Sequence, residues 1–185
     1  MLLRIPPPRS RRLSAFSIGL VAGLIVALSI SCTTPAQRAR LRTLDDRVAL
    51  RALVDRFSAL ADEKDVAAQV LLFTPDAELH VIRDGEPGSV LRGREQLARA
   101  FTPFLAQFPV VFHLNGQQVV DFDGADEARG RVYCRVTLIA RDSTGAATRT
   151  EMGVTYRDRY RRVGGEWLIA RRESHFTWSD TRTDR

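Results

Sequence analysis

The sequence predicts an α+β domain in which helices come first and pack on one face of a curved, mainly antiparallel sheet. Apolar residues recur every three or four positions between 44 and 62, the period changes to two from Phe108 onward, and turn-forming clusters separate the alternating runs.

Residues 44–62, LDDRVALRALVDRFSALAD, place Leu50, Leu53, Val54, Phe57, Leu60 and Ala61 on one side of a helix. Asp45 and Asp46 stand where a negative charge favours a helix start. A second short helix is expected over Asp65–Phe73, ended by the turn TPDA. AELHVI, from Ala77 to Ile82, reads as a strand and RDGEPGS as a turn after it. Residues 93–106 give a third helix through Leu97, Phe101, Phe104 and Leu105, bent or shortened by Pro103.

VVFHLNGQQVVDF forms one strand or two short ones, and DGADEA a turn. In RVYCRVTLIA, Val132, Cys134, Val136 and Leu138 alternate with Arg131, Tyr133, Arg135 and Thr137, the mark of a strand covered on one side. DSTGAA turns the chain into RTEMGVTYRDRYRRV, and a Gly-Gly turn leads to the closing strand, GEWLIARRESHFTW.

Composition narrows the function. The chain has 185 residues, 44% hydrophobic and 27% charged, the make-up of one globular domain. Lys64 is the only lysine, and four of the arginines behind the net +6 fall in the first twelve residues, so the remainder carries +2. Arginines after residue 46 are interleaved with acids, which argues against a nucleic-acid partner. Two cysteines exclude a disulfide framework or a cysteine-based zinc site, and the three histidines lack metal-ligand spacing. No Gly-rich phosphate loop points to a cofactor. Cys134, in an alternating run, reads as a buried inert thiol.

The N-terminus reads as an address. Arg-rich residues precede Leu13–Ser31, nineteen residues without a charge, and Cys32 follows. This resembles a bacterial lipoprotein signal, with Cys32 the lipidated residue, although Ser29 stands where an aliphatic residue is usual. An uncleaved membrane anchor and a soluble exported protein are the other two fates, and Arg11-Arg12 resembles a twin-arginine signal without its aromatic. All three place the domain in the cell envelope or outside a bacterium. The expected organisation is a signal or anchor over 1–31, a flexible tether over 32–43 and the domain over 44–180.

The run DRVALRALVDRFSALADEKDVAAQVLLFTPDAEL, followed by GREQLARAF, FHLNGQQVVDFDGADEARGRVY and GEWLIARRESHFTW, resembles the SnoaL-like branch of the nuclear transport factor 2-like superfamily over about 45–178. The resemblance implies a cone-shaped α+β barrel with an apolar pocket at one end, and frequent homodimers formed sheet to sheet. Its members include dehydratases, isomerases and polyketide cyclases beside non-catalytic proteins, so the site has to carry the function.

In the dehydratase-like members an aspartate ending the first helix meets a histidine on a mid-chain strand, and Asp62 and His113 hold the matching places. An imidazole can take a proton from carbon next to a carbonyl while a carboxylate fixes its tautomer. Phe57 stands where those members carry a tyrosine, which removes a donor and leaves Phe57 as pocket wall. Tyr133 is the candidate replacement, and Arg171 and His175 are candidates for the cone mouth, where a guanidinium binds a carboxylate. Each also has a plain structural reading: His113 bonded to Asn115 or a backbone carbonyl, Asp62 solvated, Arg171 and His175 in a charged outer stripe.

Two functions follow. One is an exported, cofactor-independent lyase or isomerase acting on a small apolar carbonyl compound, with Asp62 and His113 as acid and base. The other is a non-catalytic ligand-binding or interaction module of the same fold held at the membrane.

Overall fold

The structure, a computed structural model of the chain, describes residues 34–183. The N-terminal segment and Cys32 lie outside these residues, and no helix among the described residues is long and apolar enough to cross a membrane. The chain divides into two compact units, Met1–Thr43 and Leu44–Arg185.

Helix α1 spans Pro35–Asp62, so the described part of the first unit is helical where a flexible tether was expected. The reason is local. The Thr34 hydroxyl accepts the Gln37 N–H at 3.2 Å, and the Gln37 carbonyl oxygen accepts the Thr34 N–H at 2.8 Å, a reciprocal capping box with Pro35 in the first turn. Asp46 therefore sits mid-helix instead of at a start; its carboxylate accepts from Arg162 at 2.6 Å and from the Trp167 indole at 3.0 Å.

The other end of α1 is closed by a Schellman motif. Asp65 N–H donates to Leu60 C=O and Lys64 N–H to Ala61 C=O, with Lys64 in the left-handed region at φ 59°. Asp65 then caps α2, Val66–Leu71, by accepting the Ala68 N–H at 3.0 Å. Helix α3 spans Gly93–Ala106 and carries Pro103 within it.

Six strands follow or interleave: β1 Phe73–Arg83, β2 Glu86–Arg92, β3 Val110–Phe122, β4 Glu127–Arg141, β5 Ala147–Val163 and β6 Glu166–Thr183. Their order in the sheet is β2-β1-β6-β5-β4-β3. All pairs are antiparallel except β1 with β6, so the curved sheet is mixed. Strand β2 occupies part of the segment expected as a turn, because the hairpin at Asp84 and Gly85 is only two residues long and both have positive φ.

One face of the sheet buries Val111, Val120, Val132, Cys134, Val136, Leu138, Val154 and Tyr156. Against it lie Leu50, Leu53, Val54, Phe57 and Ala61 of α1 and Leu97 and Leu105 of α3. The alternation read in β4 thus separates core from outer face, as a half-covered strand requires.

Strand β6 breaks this simple rule. Tyr160 pairs with Ile169 while the next residue back, Arg159, pairs with Arg171, so Ala170 is an extra residue, a β-bulge. Trp167 and Ile169 face the core before it; Arg172 and Ser174 do so after it.

Candidate functional site

The Schellman closure makes Asp62 the last residue of α1, and the inward phase of β3 brings His113 to it. His113 Nδ1 lies 2.6 Å from Asp62 Oδ1, and the His113 backbone N–H donates to Asp62 Oδ2 at 3.0 Å. Both carboxylate oxygens are thus engaged by one residue, which fixes the aspartate and aims the ring. A carboxylate can only accept, so Nδ1 carries the proton and Nε2 of the neutral ring keeps its lone pair. Nε2 has no hydrogen-bond partner among the described residues.

The imidazole forms part of the wall of a cavity of about 260 Å³ between α1, α2, α3 and the inner sheet face. Phe57, Phe101, Leu105, Val136, Met152 and Phe176 give it an apolar surface. Tyr156, Gln69 and Ser174 are polar side chains on the same wall. Phe57 is held edge to face against Phe73, Phe101 and Tyr156, at centroid distances of 5.8, 6.4 and 6.1 Å.

Behind this wall Arg172 is buried completely. Its guanidinium lies between the rings of Phe57 and Tyr156, with Cζ 4.3 and 4.2 Å from the two centroids. Asp158 accepts from its Nε at 2.8 Å and Nη2 at 2.7 Å, and the Tyr160 hydroxyl donates to the same carboxylate at 2.8 Å. Burial alone would favour a neutral guanidine, but the Asp158 charge and hydrogen bonds outweigh it and keep Arg172 charged. Burial also pushes the Tyr156 phenol far above its ordinary range, so it stays protonated. The Cys134 thiol, free and buried, is pushed up to about 11, chiefly by desolvation.

The SnoaL-like domain family matches residues 42–173. The chain belongs to the SnoaL-like domain family. A search among curated proteins found no match. Among solved structures, a candidate scytalone dehydratase from Novosphingobium aromaticivorans superposes with a TM-score of 0.68 at 20% identity, covering 78% of this chain and 92% of that one. A type 2 hexachlorocyclohexane dehydrochlorinase, LinA, gives 0.67 at 16% identity, with 77% and 93% covered. A protein of unknown function from Mycobacterium tuberculosis gives 0.59 at 25% identity, with 77% and 78% covered. The fold is therefore the NTF2-like cone.

Within this SnoaL-like cone the remaining candidates fall elsewhere. Tyr133 is 44% exposed on the outer face of β4, where it meets Arg131, and does not reach the cavity. The alternation already set it opposite Val132 and Cys134. Arg171 and His175 also lie on the outer face, both bonded to Glu173, at 2.9 and 3.2 Å. The bulge at Ala170 reverses the phase of the strand, so the guanidinium that turns inward is that of Arg172. Asn115 does not bond His113; its amide donates to Asp55 Oδ1 and Val54 C=O on α1, and its oxygen accepts the Ser58 hydroxyl.

Sequence reasoning missed Tyr156, which shares the inward phase of Val154 in a run already read as alternating. Gln69 and Arg172 carried no such signal. Among the described residues no group of three or more His, Cys, Asp or Glu side chains is arranged to hold a metal ion.

Proposed function

We propose that this SnoaL-like protein is a cofactor-independent lyase or isomerase acting on a small apolar carbonyl compound. The observation that carries the reading is the 2.6 Å contact between His113 Nδ1 and Asp62 Oδ1 on the wall of an apolar cavity. Nε2 of His113 takes a proton from the carbon beside the carbonyl. The freed C–H pair becomes the new double bond as a leaving group departs with its own bonding pair, or the proton returns at another carbon and the compound is isomerised. Asp62 stabilises the imidazolium that forms in either case.

The apolar lining of the cavity lowers the local polarity in which that ion pair forms and so strengthens it. The protonated Tyr156 phenol is the nearest substitute for the tyrosine that Phe57 displaces. Two structural neighbours, a candidate scytalone dehydratase and a hexachlorocyclohexane dehydrochlorinase, carry the names of elimination enzymes, which supports the lyase branch. The same reading takes residues 1–31 as an export signal and Cys32 as the lipidated residue of a membrane-anchored protein. Mass spectrometry of the membrane-extracted chain checks that: a mature chain starting at a diacylated Cys32 supports it, and an unmodified Cys32 overturns it.

The chemistry is tested by incubating the protein in D₂O with a panel of cyclic ketones and β-hydroxy ketones and following α-proton exchange and loss of water by NMR. The wild type accelerates one or both, and His113→Gln and Asp62→Asn lower the rate by about 10²–10⁴. Unchanged rates in both variants would remove the dyad from the reaction. Binding without turnover, insensitive to His113→Gln, would favour the ligand-carrier reading instead.

A further inference from the structure

On the face of the sheet opposite the cavity, the middle of β3 to β6 forms a groove of about 410 Å³ lined by Arg129, Arg131, Arg157, Arg159 and Arg171, with Asp121 and Glu173 the carboxylates beside them. In the sequence these arginines look neutralised, since Asp158 stands between Arg157 and Arg159. Strand alternation separates them. Asp158 points to the core and is consumed by Arg172, while its two neighbours face solvent.

The ladder places like charges directly opposite each other. Arg131 pairs with Arg157, and Arg129 with Arg159, which in turn pairs with Arg171, while Glu173 stands opposite Arg157 and Asp121 opposite Arg129 on the neighbouring strands. Arg129 is neutralised by both oxygens of Asp123 at 2.7 Å, and Arg171 by Glu173 at 2.9 Å. The side chains of Arg131, Arg157 and Arg159 make no ion pair with any described residue; Arg131 only faces the Tyr133 ring at 5.7 Å. Like charges placed opposite one another in a ladder destabilise a sheet unless something neutralises them.

We propose that this groove is a binding site for a small phosphate-bearing anion. Neighbouring strands are about 4.8 Å apart and same-face residues of one strand about 6.8 Å apart, so the backbone positions of Arg131, Arg157 and Arg159 are close enough for their long side chains to reach one tetrahedral oxyanion or two linked ones. Guanidinium forks match phosphate oxygens two at a time. The groove lies on the far side of the sheet from His113, so the site is independent of the proposed chemistry.

The probe is inorganic diphosphate, titrated calorimetrically into the full chain at constant ionic strength, with potassium chloride as the control. Saturable binding near one anion per chain is expected, weakened at least tenfold in Arg157→Gln/Arg159→Gln. Thermal unfolding in a buffer free of multivalent anions supplies a second measurement, in which the double variant melts no lower than wild type because repulsion is relieved. A response equal to that of chloride, or unchanged in the double variant, overturns the site. So does retention on vesicles of an anionic phospholipid without saturable diphosphate binding, which would make the groove a membrane contact.

Discussion

Arg172 and Asp158 meet through two hydrogen bonds, of 2.8 and 2.7 Å, and neither side chain reaches solvent. The pair joins β5 to β6 behind the cavity wall, and its cation is covered by two aromatic rings. Removing one partner strands a buried charge, so Asp158→Ala is expected to cost about 3–5 kcal/mol in urea unfolding. Replacing both, as Arg172→Met with Asp158→Leu, restores much of that. A double variant as unstable as the sum of the singles would show that the pair is not what the core depends on.

Gly130 is expected to tolerate no side chain. A Cβ there would lie 2.6 Å from Cε2 of Tyr160, a buried ring tied through its hydroxyl to Asp158. The ring cannot withdraw without breaking that bond, so Gly130→Ala should lower stability by about 1–3 kcal/mol. Circular dichroism melting of the variant checks this, and an unchanged midpoint would mean that Tyr160 is free to move.

Stability should fall between pH 9 and 11. The Cys134 thiol is pushed by burial from its ordinary 9.0 to about 11. In that window the unfolded chain releases the proton and the folded one holds it, so folding is favoured less as pH rises. The buried phenols of Tyr156 and Tyr160, raised in the same direction by burial, extend the loss above pH 10. Denaturation midpoints across the range should fall less steeply in Cys134→Ala than in wild type; parallel curves would assign the slope to other groups.

Asp46 makes the acid side visible. Burial raises its carboxyl, but the hydrogen bonds from Arg162 and Trp167 and the Arg162 charge outweigh this and hold it below the usual range. A depressed folded pKa contributes stability above the unfolded value, and that stability is lost as pH falls through the folded one. Trp167 fluorescence should therefore change in acid below about pH 4, and Asp46→Asn should remove the transition without removing the native spectrum at neutral pH. Persistence of the transition in the variant would place its origin elsewhere.

The sequence made most of the architecture legible because the two periodicities report burial directly. The helix Gly93–Ala106 and the inward set Val132, Cys134, Val136 and Leu138 were readable for that reason. Asp62 and His113 were found through family resemblance, and their contact depends on tertiary placement that no local signal carries. The start of α1 was misread because Thr34-Pro-Ala-Gln37 resembles a polar tether in composition, although as a spacing it is a capping box. Arg171 and His175 were put at the cone mouth because alternation was extended through Ala170, where one unpaired residue reverses it.

That bulge makes half of a wall depend on chain length instead of residue type. Ser174 and Phe176 border the cavity, and Arg171 and Glu173 the anion groove, only because Ala170 adds a step to the strand. A change of one residue in the length of β6 would exchange the linings of the two chambers at once, with every side chain conserved. Indels there would remodel both more completely than point substitutions, so an alignment of this strand has to be phased separately on each side of Ala170.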